Sequence, residues 1–127
     1  MDIVKTERAF GIKLASGENC APGILIKVNA SGEGVVANNT TPKKPHGVAL
    51  TSGAGTKVAG ISQYVNCYRS ATVYDENGFG VTFTVGAKVY CVDGGLYSTA
   101  APGTTNYIVG FALDSNTVFV DLDVSAL

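Results

Sequence analysis

A chain that carries one pattern twice must find a way for two similar units to bury their apolar faces. Here the first copy runs PGILIKVNASGEGVVANNTTPKKPHGVALTSGAGTKVAGI and the second VGAKVYCVDGGLYSTAAPGTTNYIVGFALDSNTVFVDL. Gly23 answers Gly86, and Gly47-Val48-Ala49-Leu50 answers Gly110-Phe111-Ala112-Leu113, both at a spacing of 63. Between these anchors the match slips by two residues, so that Gly34-Val35-Val36 answers Gly95-Leu96-Tyr97. Each copy reads as strand, glycine-rich hairpin, strand, proline-containing loop and GxAL strand, which is one β-meander used twice. The expected fold class is all-β: a small β-sandwich or barrel built from two duplicated β-meander units, with little helix. Residues 20–127 form a single β domain, with the repeat at about 22–61 and 85–122, and residues 1–19 form an N-terminal arm or edge segment.

Period-two alternation supports this reading. Val118, Val120, Leu122 and Val124 fall on one face of a strand, and Phe119, Asp121 and Asp123 on the other. VTFTV sets Val81, Phe83 and Val85 against Thr82 and Thr84, and ILIKV sets Ile24, Ile26 and Val28 against Leu25 and Lys27. AKVYCV sets Ala87, Val89 and Cys91 against Lys88, Tyr90 and Val92, and Ala59 to Tyr74 reads as mainly extended. Ser31–Gly34, Asp75–Gly78, Asp93–Gly95 and Asp114–Asn116 carry turn chemistry. Two prolines make Thr40 to Pro45 a loop.

The stretch HGVALTSGAGTKV invites comparison with a phosphate-binding loop. A Walker loop needs Gly-Lys-[Ser/Thr], but Thr56 separates Gly55 from Lys57 and Val58 stands in the hydroxyl position. A dinucleotide fingerprint starting at Gly53 fails at Val58 too. The second copy places Asp114-Ser115-Asn116-Thr117 where Gly53 to Gly55 should align, so the segment reads as a turn. His46, the one histidine, has no nucleophile or carboxylate at a recognisable spacing and reads as a surface-loop residue. Asp121 and Asp123 share a strand face but lack the further oxygens of a calcium loop. The six tyrosines, without interleaved basic residues, read as core-edge and interface residues. No catalytic, cofactor-binding or metal-ligating residues are assigned, and the chain is expected not to be an enzyme.

Cys20, Cys67 and Cys91 are an odd set without CxxC spacing, which points to reduced thiols. MDIVKTERAF has no apolar core of the signal-peptide type, so synthesis in a reducing cytoplasm is expected. A net charge of −1 argues against nucleic acid and anionic membrane as partners. Charge is uneven, however. Residues 1–44 hold six Lys/Arg against four Asp/Glu, whereas residues 88–127 hold Lys88 against four Asp, an asymmetry suited to docking between copies or onto a partner.

The segment VTFTVGAKVYCVDGGLYSTAAPGTTNYIVGFALDSNTVFVDL resembles the C-terminal half of tailed-phage capsid decoration (cement, head-stabilising) proteins, and the earlier GVAL segment fits their first half. The resemblance spans roughly residues 20–124 in glycine and hydrophobic positions. It implies a compact β-rich body, often trimeric, bound at local three-fold positions outside an assembled capsid. The implied partners are the major capsid protein and other copies of the chain as a homotrimer, and the implied location is the exterior of the virion. No catalytic residues come with the family. The alternative is a ligand- or carbohydrate-binding β module of a phage fibre or tail. Outside the repeat, Asp2, Ile3, Val4, Lys5, Arg8 and Phe10 are the candidate contact residues to capsid or neighbouring subunit.

Overall fold

The structure, a computed structural model, describes residues 1–38, 44–99 and 107–122, with the side chains of residues 2 and 4–8 outside that description. Eleven strands run through the described residues: β1 (Asp2–Lys13), β2 (Asn19–Cys20), β3 (Leu25–Val28), β4 (Gly34–Val36), β5 (Gly47–Ala49), β6 (Gly53–Ala54), β7 (Tyr64–Tyr74), β8 (Lys88–Val92), β9 (Leu96–Ser98), β10 (Ile108–Asp114) and β11 (Thr117–Asp121). The fold is all-β, a curled antiparallel sheet forming a half-barrel. Its hydrogen-bonded order is β4-β3-β5-β7-β11-β10-β8-β9; β1 also pairs with β7, and β2 pairs with β6. No helix, and so none long and apolar enough to cross a membrane, occurs among the described residues.

The duplication is visible in the register. Ile26 pairs with Gly47 and Leu25 with Val48; 63 residues on, Val89 pairs with Gly110 and Lys88 with Phe111. The Gly23 N–H donates to the Ala49 carbonyl at 2.7 Å, and the Gly86 N–H to the Ala112 carbonyl at 2.7 Å. The spacing also holds through the hairpin, where Lys27 pairs with Val35 and Tyr90 with Ser98. The two-residue slip expected from the sequence is therefore absent. Gly95 (φ 67°) answers Gly32 (φ 78°), because the positive φ of the turn fixes where glycine is needed. Gly34 answers Tyr97 instead.

Beyond the GxAL strands the copies diverge. Ala49 pairs with Cys67 and Ala112 with Val118, so residues 50–66 in the first unit correspond to 113–117 in the second. The Gly53–Gly55 segment is not the counterpart of the Asp114–Asn116 turn. Gly53 and Ala54 form β6, and a Cβ on Gly55 would run into the Ala15 carbonyl. Glycine stands there for close backbone approach.

Two apolar clusters result, and cross-strand pairing shows which faces they use. The parallel bridge Leu14↔Gly34, with Ala15 N–H donating to the Gly34 carbonyl at 2.9 Å, brings the end of β1 against β4. Strands β4-β3-β5-β7-β1 thus close into a ring filled by Ile12, Leu14, Ile26, Ala49, Val65 and Cys67. The outside of the ring carries Leu25, Ala37 and Val48. These pack into the second unit's concave face, formed by Val89, Cys91, Tyr97, Ala112, Val118 and Val120. Both faces of β3 are therefore covered, and Lys27 is buried with its Nζ on Asn38 Oδ1.

A second expectation fails at VTFTV. Residues 81–85 form no strand, and Val85 is 73% exposed although Phe83 is buried. Gly78, Gly80 and Gly86 all take positive φ, and the Ala87 N–H closes a turn onto the Thr84 carbonyl. The segment is too broken to hold a ladder, and β8 begins only at Lys88. Elsewhere alternation holds: Val118, Val120 and Leu122 are buried, as are Val89 and Cys91. Val124, Asp123 and most of the Thr40–Pro45 loop lie outside the described residues.

Candidate interaction surface

The groups capable of chemistry are held in structural roles. His46 Nδ1 accepts the Val28 N–H at 3.0 Å, so the ring is a half-buried bridge between β3 and β5 rather than the expected surface-loop residue. Burial, then the nearby Arg69, Lys44 and Lys27, lower its pKa below the ordinary value of 6.5. Arg69 Nη1 donates to the His46 carbonyl at 2.9 Å and Nη2 to the Leu122 carbonyl at 3.3 Å, tying the two units together. The three cysteines are free thiols. Burial pushes Cys67 and Cys91 up to about 12 and raises Cys20 as well, so none favours a reactive thiolate. Among the described residues no group of three His, Cys, Asp or Glu is placed to hold a metal ion.

The six candidate contact residues lie on β1, whose backbone pairs antiparallel with β7 of the same chain. Ile3 sits opposite Val73 and packs against the cluster between the units; Phe10 sits opposite Cys67 and packs against the cluster inside the ring. Val4 falls at a register shift between Ile3 and Lys5. The side chains of Asp2, Val4, Lys5 and Arg8 are outside the described residues. Residues 1–19 thus contribute a strand to the body, with Ile12 and Leu14 inside its ring.

Six of the eight large exposed apolar side chains among the described residues gather instead at the two ends of β7; the other two are Val85 and Leu96. At its start Tyr64 is 63% exposed, across the ladder from Lys13, with Val58 and Ile61 nearby at 47% and 46%. The Ile61 N–H returns to the Val58 carbonyl at 3.2 Å with Gly60 at φ 79°, the geometry of a type II turn. This knuckle is braced. Ala54 N–H donates to the Ser62 carbonyl at 3.0 Å, Gln63 Nε2 to the Gly55 carbonyl at 2.8 Å, and Gly17 N–H to Thr56 Oγ1 at 3.0 Å. Lys13 and Lys57 are exposed beside it.

At the other end Tyr74 pairs with Thr117, next to the β10–β11 hairpin. Asp114 Oδ1 accepts the Asn116 N–H at 2.8 Å, and Asn116 Nδ2 donates to the Glu76 carbonyl at 3.2 Å, locking two acidic turns side by side. Leu113 and Phe111 follow on the outer face of β10 at 43% exposure each, with the Phe111 ring 5.5 Å from that of Phe119. Glu76 and Asp114 are exposed there. Sequence reading missed both patches, because alternation alone does not tell an inner apolar face from an outer one. A shallow groove of about 410 Å³ lies where the units meet, lined by Asn19, Cys20, Ala21, Ile24, Val36 and Gly94.

Compared with known families and curated proteins, the chain matches no family model and no curated sequence.

Proposed function

We propose that this chain is a non-enzymatic structural protein that binds the outer surface of a viral capsid and stabilises it, acting as a homo-oligomer, in the simplest case a trimer. Its partner is the major capsid protein. It is made in the host cytoplasm and resides on the virion exterior. The observation that carries the reading is the division of labour among side chains. Cys67, Cys91 and Tyr97 are committed to the interior and His46 to a backbone hydrogen bond, whereas Val58, Ile61, Tyr64, Phe111 and Leu113 are spent on the surface. Exposed apolar groups on a braced scaffold suit docking to protein. The resemblance in the repeat points the same way.

A ligand bound only to the assembled shell stabilises that shell by mass action. A carbohydrate module should instead group its exposed tyrosines around one concave patch, but Tyr64 and Tyr74 stand at opposite ends of β7. The test is co-sedimentation with capsids that lack the protein. Saturable, stoichiometric binding that raises the temperature of capsid rupture is expected. Absence of binding at any ratio overturns the proposal.

A further inference from the structure

The two exposed patches differ in charge as well as position. The knuckle Val58–Ile61–Tyr64 is flanked by exposed Lys13 and Lys57; the far patch, Tyr74 with Leu113 and Phe111, is flanked by exposed Glu76 and Asp114. β7, 11 residues long, separates them by about 33 Å at the usual rise of an extended strand. Each patch is apolar at its centre; the knuckle's rim is basic, whereas the far patch is acidic along its turn edge and has the exposed Lys88, opposite Phe111, on its β8 side. Asp75, the third acidic group at the far end, already lies 3.9 Å from the amino terminus.

We infer that the basic knuckle of one copy docks onto the acidic end of β7 in a second copy. The contact is head-to-tail: Lys13 and Lys57 face Glu76 and Asp114 of the neighbour, while Val58, Ile61 and Tyr64 cover Tyr74, Leu113 and Phe111. Because the two surfaces are different and lie at opposite ends of one molecule, the pair formed by the first contact keeps one free knuckle and one free acidic end. Such an interface propagates until a ring closes. The duplication makes the asymmetry intelligible. The knuckle belongs to residues 50–66, for which the second unit has only 113–117, so only one end of the molecule bears it. Rim charges of opposite sign choose the correct register and speed encounter, and the apolar centre supplies the attraction.

The inference rests on the oligomeric part of the proposed function and is independent of the capsid. Its test is analytical ultracentrifugation of the full chain and three variants, with circular dichroism to show that each is folded. Lys13→Glu with Lys57→Glu makes both ends acidic, and is expected to weaken assembly at least about tenfold. Glu76→Lys with Asp114→Asn makes both ends basic and is expected to do the same; Asn at 114 keeps the side-chain acceptor that closes the turn. Combining all four substitutions restores opposite signs, and assembly is expected to return. A wild-type chain that stays monomeric overturns this inference and the oligomeric reading together. Wild-type oligomers unaffected by either pair of changes, or not regained in the combined variant, overturn the head-to-tail interface and leave the oligomeric reading standing. Capsid binding by a persistent monomer would assign the patches to the capsid protein instead.

Discussion

Two side chains brace the fold in ways a sequence cannot display. Tyr97 is fully buried, and its Oη donates to the Gly23 carbonyl at 2.6 Å, joining β9 of the second unit to the start of the first. Its ring stands edge-on to Phe79 at 5.3 Å. Tyr97→Phe keeps the ring but leaves a buried carbonyl short of a donor, so urea unfolding should show a loss of about 1–3 kcal/mol. An unchanged midpoint would show that water replaces the hydroxyl. His46 gives a second residue-level prediction. Its folded pKa is lowered, so the unfolded chain takes up the proton first as pH falls. Stability from this group is complete above the ordinary value of 6.5 and is lost progressively below it. Unfolding free energy measured from about pH 7 down to about pH 5 should fall, and the fall should shrink in His46→Gln. Equal slopes in both proteins would contradict the role assigned to the Val28–His46 bond. The sequence placed His46 in a loop. That it satisfies a backbone donor of β3 depends on tertiary placement, which spacing does not encode.

At the level of elements, the strands were legible wherever alternation coincided with a ladder partner, as in β8 and β11, and β7 was legible from its Tyr, Val and Thr content; alternation misled elsewhere. It failed where glycines with positive φ cut the segment, as at Val81 to Val85, because a strand needs a neighbour as well as a pattern. The hairpin glycines were visible in the sequence but matched to the wrong partners, since a residue-type match cannot see φ. Gly32 and Gly95 now make a paired experiment. Both have positive φ, but a Cβ on Gly32 meets open space, whereas on Gly95 it would lie 2.6 Å from the Leu25 carbonyl oxygen. Gly95 also bonds both Leu25 N–H and the Ala37 carbonyl, at 2.9 Å and 2.8 Å, fastening the second hairpin to the first unit. Gly32→Ala should cost about 1–2 kcal/mol from backbone strain alone. Gly95→Ala should cost distinctly more in the same thermal or urea assay. Equal costs would mean that this contact between the units yields without penalty.

For the whole molecule, the repeat correctly announced two similar β units but not how they meet. They do not pack by equivalent faces. The outside of the first unit, through Leu25 and Val48, fills the inside of the second. The corresponding outer residues of the second unit, Lys88 and Phe111, are left exposed. Burying a side chain such as Leu25 or Val48 contributes about 2 kcal/mol, so the arrangement is stabilising for one unit and leaves the other with an apolar outer face. The N-terminal strand closes the first unit's own interior, which is why a segment outside the repeat proves integral to the fold. The candidate contact surface was thus only partly readable: the charge asymmetry along the chain was, but the apolar patches at the two ends of β7 were not. The surface is proposed to serve an external shell. Three-dimensional imaging of capsids saturated with the protein tests it most directly. Density for the chain is expected at symmetry-related positions on the capsid exterior, with copies arranged head-to-tail around the local three-fold axes. Saturating protein with no added density on the capsid exterior would contradict it.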